Sequence, residues 1–156
     1  MANKKTPISC DWKSGAALKS RVAPAANKSA LYEHKGRFRW KGIKVEKYKQ
    51  SSGDWADIVR QTLIGSHGEK TKFHLRYFEI APGGCSSFEK HKHEHVVICI
   101  RGKGKAIADK KSHILNFLDT LYISPDTPHQ LKNPFKKPFG FFCIVNAKRD
   151  KPNLLT

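Results

Sequence analysis

Seven consecutive residues, Glu89-Lys90-His91-Lys92-His93-Glu94-His95, set four potential metal ligands (Glu89, His91, His93 and His95) at alternate positions. Alternate side chains of an extended strand share a face. Such a run could aim several imidazoles and a carboxylate into one cavity, a donor set suited to a divalent transition metal. Val96, Val97, Ile98 and Ile100 follow at once. That composition leads the cluster into buried sheet; a charged, exposed His-rich loop is the competing reading. His34, His67, His74 and His113 have no neighbour at ligand spacing and read as surface histidines.

These residues must be positioned by a chain of 156 residues, the length of one domain with a real core. No apolar run reaches transmembrane length, and the N-terminus has no apolar signal-peptide core, so a soluble cytoplasmic protein is expected. Cys10, Cys85, Cys99 and Cys143 form no CxxC pair, and Cys99 and Cys143 lie in apolar runs. They read as reduced thiols. The net charge of +17 raises the question of a polyanionic partner. Lysines outnumber arginines 23 to 7 and are scattered, which describes a solvated surface. No RNA-binding signature, helix-turn-helix or zinc finger is present. The expected partner is a small-molecule substrate, with no specific nucleic acid and no membrane.

Residues 1–30 are rich in Lys, Ser, Ala and Asn, with Asp11 the only acid. They predict a flexible basic extension, and the segment assigned to it runs over 1–35. A barrel domain over 36–150 and a short tail over 151–156 complete the expected organisation, with folded sequence starting near Phe38. From there the chain reads as short strands between turn signals. Extended segments are expected over 38–49 and 72–80, the second ended by Pro82-Gly83-Gly84. Further strands are expected near 86–91, 95–101, 104–108, 120–124, 128–133 and 139–146. Residues 55–64 fit either strand or short helix. Turns are expected at Ser51-Ser52-Gly53-Asp54 and Ser124-Pro125-Asp126-Thr127-Pro128, and a hairpin turn at Arg101-Gly102-Lys103-Gly104. The pattern is all-β, a sandwich or barrel.

Two segments together resemble the cupins, small double-stranded β-helix or jelly-roll barrels. Gly83, Glu89, His91, His95 and Gly102 match the length of the family's first motif at both glycines, with a Glu and a His exchanged. Pro125 to Asn133 resembles the second motif, with His129 and Asn133 at matching positions. A rival frame takes His91 and His93 as the literal HxH, but it puts Val97 where an acid belongs and keeps only Gly104. Ser124 and Leu118 depart from the family pattern at turns, outside the ligand set. The resemblance covers roughly residues 70–147. It implies one divalent transition metal (Mn, Fe, Ni, Co or Zn, with Mn or Fe favoured) held by Glu89, His91, His95 and His129. His93 is left to a turn, to a supporting hydrogen bond, to the place of Glu89, or to the surface. Family habit also implies a homodimer, with residues 36–60 covering a sheet edge.

By composition Gly140 to Asn146 is a buried strand, where a free Cys is ordinarily a small core residue. The runs Leu75–Gly84 and Gly140–Pro152 are similar to a cupin subgroup that includes methylsulfurylases acting on methylthio-xylulose 5-phosphate. That similarity implies catalysis by a metal with a cysteine thiol, here Cys143, to release methanethiol from a ketose phosphate. Cys99, on the face of His95 and Val97, or free glutathione would supply a second thiol. Arg76 and Arg39 are candidates for holding the phosphate. An iron-dependent cupin dioxygenase and a non-enzymatic metabolite-binding cupin are the alternative functions.

Overall fold

A computed structural model describes residues 29–48 and 56–155. Most of the expected extension, residues 1–28, and the expected turn at 51–54 lie outside the described residues. Eleven strands and no helix are present among those described. They are β1 (Glu46–Lys47), β2 (Ala56–Ile64), β3 (Phe73–Cys85), β4 (Glu89–Lys90), β5 (His95–Arg101) and β6 (Gly104–Ala108). Then come β7 (Lys111–Leu115), β8 (Thr120–Ile123), β9 (His129–Lys132), β10 (Phe139–Asn146) and β11 (Asn153–Leu154).

All pairings are antiparallel. One run of neighbours is β1-β2-β3-β10-β5-β8, and the other is β7-β6-β9-β4-β11. The two meet where Cys85 of β3 pairs with Lys132 of β9. This is the jelly-roll barrel expected from the resemblance. Its core lies between the two runs, where Phe78, Ile80, Val97, Leu115, Ile123, Phe139, Phe141 and Val145 are buried. Phe78 and Phe141 stack with centroids 5.4 Å apart. Burying each such ring contributes roughly 1.5–3 kcal/mol.

The register explains which side chains face inward. Arg76 is the cross-strand partner of both Thr62 and Cys143, and Phe78 is that of Arg60 and Phe141. Directly opposed residues share a face, so Arg60, Arg76 and Cys143 point to the same side as the Phe78–Phe141 core. Tyr77 and Glu79 take the outer face.

That outer face is covered by residues 34–43. Phe38 stacks on Tyr77 at 5.6 Å, and Trp40 packs on Tyr77 at 5.2 Å and on Phe142 at 6.0 Å. Gln61 Nε2 donates to the Phe38 carbonyl at 2.9 Å. Arg101 stacks over the Phe38 ring and donates to Glu79 at 2.6 Å, and Glu79 also accepts from the Tyr77 hydroxyl at 2.7 Å. Under this cover Tyr77 and Gln61 are fully buried on what would otherwise be a solvated sheet face.

Several expectations need correction. In place of the extended segment expected over 38–49, the described residues 38–48 are a turn-rich cover in which β1 is the only strand, and Arg37 and Phe38 at its start both take left-handed backbone with φ of 50° and 54°. Residues 56–64 are strand, not helix. Pro82-Gly83-Gly84 bends β3 without ending it. Beyond Ile80 the strand leaves β10, and Gly83 N–H donates to Asn133 O at 2.8 Å while Asn133 N–H donates to Gly84 O at 2.9 Å. Arg101–Gly104 is a crossover, not a hairpin: β5 pairs with β10 and β8, and β6 with β7 and β9. β7 and β11 had no sequence expectation. The two motif glycines, Gly83 and Gly102, have φ of 83° and 63°, a backbone that favours glycine.

Candidate metal centre

The His-rich run lies at one end of the barrel. Glu89 ends its approach in β4, opposite His129 at the start of β9. His91 and His93 occupy the bend between β4 and β5, and His95 opens β5. The strand is therefore shorter than its sequence suggests, yet the alternation survives: Glu89, His91, His93 and His95 are buried, while Lys90 and Lys92 are exposed. His129 is buried beside them.

His91, His95 and His129 each offer a ring nitrogen, all within 4.8 Å of one another. His91 Nδ1 lies 2.8 Å from the His93 carbonyl, and His129 Nδ1 lies 2.8 Å from the Thr127 carbonyl. A carbonyl only accepts, so each Nδ1 carries the proton and each Nε2 is left unprotonated, with its lone pair as the donor a metal would take. His95 Nε2 is 2.7 Å from His91 Nε2. Burial, and then His93 and His129, pushes the His91 imidazolium down in pKa. Burial, with His129 and His91 next, pushes His95 down to about 2. All of this favours neutral imidazole, the metal-binding form. The three histidines fit a divalent transition ion, and the Nδ1–H bonds of His91 and His129 to carbonyls are the usual means of orienting ligand imidazoles.

The second motif builds the His129 side. Asp126 N–H donates to His91 O at 2.7 Å, docking the Ser124–Pro128 turn against the cluster. Asn133 does not reach the site. Its amide donates to Ile80 O and Lys137 O, and its carbonyl accepts from Phe135 N–H. It holds turns together.

A cavity of about 240 Å³ opens from the three histidines. Glu89 lines it and accepts from Ser87 Oγ at 2.5 Å, and Tyr48 in turn lies 3.0 Å from Ser87 Oγ. His93 is no surface residue. It is buried, stacks on His91 with centroids 3.6 Å apart, and places Nδ1 2.7 Å from Asp150 Oδ1. Asp150 also accepts from Lys92 N–H at 2.9 Å. That backbone bond, and then the one with His93, holds its carboxyl well below the usual range. His91, His93 and Asp150 form a second group of potential ligands.

Cys143 lines the same cavity, 3% exposed. Its Sγ lies 3.1 Å from His95 Nδ1 and accepts from Arg76 Nη2 at 3.4 Å. Burial pushes the thiol pKa up, and the Arg76 guanidinium opposes that rise. Cys99 is buried on the same inward face but does not line the cavity; its thiol points to the carbonyls of Arg101 and Gly102. Arg76 lines the cavity as expected, whereas Arg39 sits on the outer face, 4.0 Å from Glu79. Sequence reasoning missed Ser87, Arg60 and the chemistry of Arg149 and Asp150. The last two follow the barrel's final long strand in a segment without ligand-like spacing, and only the fold returns them to the cavity.

Comparisons agree with this geometry. Residues 76–145 match the family model described as a cupin domain. The chain is similar to 1-methylthio-D-xylulose 5-phosphate methylsulfurylase of Rhodospirillum rubrum, 36% identical over 121 residues, which are 77% of this chain and 76% of that one. Among solved structures it is similar to a cupin-2 domain protein of the same organism, with 35% identity, a TM-score of 0.71, and 81% and 84% of the two chains covered. It is also similar to a cupin 2 conserved barrel domain protein of Rhodopseudomonas palustris, with 34% identity, a TM-score of 0.75, and 81% and 87% covered.

Proposed function

We propose, for a chain that belongs to the cupin 2 family, that the histidine-lined cavity is a metal-dependent active site for a small phosphorylated sugar. The reaction we assign is release of methanethiol from methylthio-xylulose 5-phosphate. The observation that carries this reading is the Cys143 thiol inside the cavity, 3.1 Å from a ring nitrogen of the histidine triad. The name of the Rhodospirillum relative supports it.

His91, His95 and His129 would hold the metal through one ring nitrogen each, and Glu89, which lines the same cavity, would be the fourth ligand. When bound, the divalent ion polarises the ketose carbonyl as a Lewis acid. With Nε2 as its ligating atom, His95 would carry its proton on Nδ1 and donate it to Cys143 Sγ. Arg76 donates to the same sulfur from the other side. These two donors favour the thiolate against the cost of burial.

The thiolate attacks the thioether sulfur of the substrate. A sulfur–sulfur bond forms to Cys143, the sulfur–carbon bond to the sugar breaks, and the sugar leaves as its enolate and takes a proton. An external thiol such as glutathione then attacks the mixed disulfide. Methanethiol departs, the external thiol becomes part of a new disulfide with Cys143, and a second equivalent restores the Cys143 thiol. Cys99 is too far along β5 for this task, four residues beyond His95, or about 13 Å at strand rise.

The reading brings with it manganese or iron as the ion and a homodimeric assembly. Elemental analysis of protein from its native host reads the first, and light scattering the second. The central experiment combines metal content with methanethiol detection. Wild-type protein should carry one ion per chain and release methanethiol from the substrate in the presence of thiol. His129→Ala should lose stoichiometric metal and activity together. Full metal content in that variant would contradict the ligand assignment, and an inactive metal-loaded wild type would contradict the reaction.

A further inference from the structure

We infer that Arg60, Arg76 and Arg149 form a phosphate subsite at the mouth of this cavity, an inference that rests on reading the cavity as a small-molecule site. All three line it. Arg60 on β2 and Arg76 on β3 come from adjacent strands and the same inward face. Arg149 lies three residues past the end of β10 and is turned back by its own hydrogen bond, Nη1 to Asn146 O at 2.7 Å. The same Nη1 lies 3.1 Å from His74 Nδ1.

Charge balance at this mouth is incomplete. Arg60 is paired with Glu46 of β1 at 3.1 Å. Among the described residues neither Arg76 nor Arg149 has a carboxylate within ion-pair distance. The two acids that line the cavity are engaged elsewhere, Glu89 by Ser87 and Asp150 by His93 and the Lys92 amide. Arg76 Nε is buried with no hydrogen-bond partner. A buried donor left unpaired is costly, and here it belongs to a charged group. Partial burial, and then the guanidinium of Arg76, makes Arg149 a weaker base than usual, with Arg60 adding to the effect.

Arg76 and Arg149 thus bring two guanidinium charges that have no carboxylate partner among the described residues. A phosphate monoester carries about −1.5 to −2 at neutral pH, close to the charge needed, and its oxygens suit the planar forks of arginine. A carboxylate would leave about half of the charge unmatched. The subsite is joined to the metal side by the chain itself: Asp150, next to Arg149, holds His93. A sugar phosphate bound here would extend its carbon chain from the arginines toward Cys143 and the histidines.

The test compares D-xylulose 5-phosphate with D-xylulose by isothermal titration calorimetry on metal-loaded protein, for wild type, Arg149→Gln, Arg149→Lys and Arg60→Gln. Arg149 is exposed at the mouth, and its variants should melt as wild type does. The phosphorylated ligand should bind wild type at least tenfold more tightly than the free sugar. Arg149→Gln should remove most of that preference and leave D-xylulose affinity unchanged. Arg149→Lys should keep part of it, and Arg60→Gln should weaken it less than Arg149→Gln. Equal wild-type binding of the two ligands, or an undiminished preference in Arg149→Gln, overturns the subsite. A protein that releases no methanethiol from methylthio-xylulose phosphate yet keeps this preference refutes the reaction and supports the subsite.

Discussion

Replacing Cys143 by serine separates the thiol's chemistry from its packing. The side chain is almost wholly buried, so change of shape is the first concern, and the substitution keeps shape nearly intact. A serine Oγ can accept from Arg76 Nη2 and from His95 Nδ1, the two groups now directed at sulfur. The stability cost should therefore be small, about 1 kcal/mol. The ring nitrogens that meet in the triad are untouched, so metal content should stay at the wild-type level. Activity should behave otherwise. A serine hydroxyl is hardly ionised near neutral pH, and Arg76 cannot compensate for the difference between hydroxyl and thiol. Loss of the nucleophile should lower methanethiol release by at least about a thousandfold, or about 4 kcal/mol of barrier at roughly 1.4 kcal/mol per tenfold. The assay measures methanethiol from metal-matched wild type and Cys143→Ser at saturating substrate, with a thermal melt of each. Turnover of the serine variant within tenfold of wild type, at equal metal content, would refute the thiol mechanism. A loss of metal alongside activity would show that Cys143 acts by supporting the histidines, against the reasoning given.

Other expectations can be checked on the same protein. Tyr77→Phe removes the hydroxyl that donates to Glu79, and should cost about 1.5–3 kcal/mol as a bond to a charged group, read as a lower denaturation midpoint with metal content unchanged. Gly104→Ala would place a Cβ 2.2 Å from the Phe139 ring, so about 1–3 kcal/mol of overpacking is expected in a urea melt. Burial raises the Glu69 carboxyl, but hydrogen bonds from Tyr32 and from the His67 and Gly65 amides outweigh it and hold the pKa at about 2. That depressed value contributes stability above the ordinary Glu pKa of about 4.3, which is lost as pH falls towards 2. Glu69→Gln should therefore flatten the stability profile across that window, and an unchanged slope would deny Glu69 the role.

What could be read from the sequence follows the range of the interactions involved. The strands around Val97 and Phe141 were legible because alternation and β-branched or aromatic content are local signals. The histidine cluster was legible because its spacing is also local, and His129 could be attached to it through the second motif. Arg101–Gly104 misled because a glycine turn looks the same whether the next strand pairs with the last or crosses to another sheet. The 38–49 segment misled because its aromatic residues, which suit a strand, are used to cover a neighbouring one. Arg149 and Asp150 carried no local signal. Their meaning depends on where β10 ends and on Lys92 and His93, 57 or 58 positions away.

The cavity collects side chains from Tyr48 through Pro152, and this bears on how the protein comes into being on the ribosome. Glu89, His91, His95 and His129 are all made before Cys143, Arg149 and Asp150, so the nascent chain carries every proposed ligand while its final long strand is still missing. Long-range antiparallel pairings such as Cys143 with Arg76 are slow to form because distant segments must first meet. Completion of the cavity, with its thiol and arginines, is thus a late event in biosynthesis. An ion taken up before then would meet the histidines without Cys143 or Arg149 beside them.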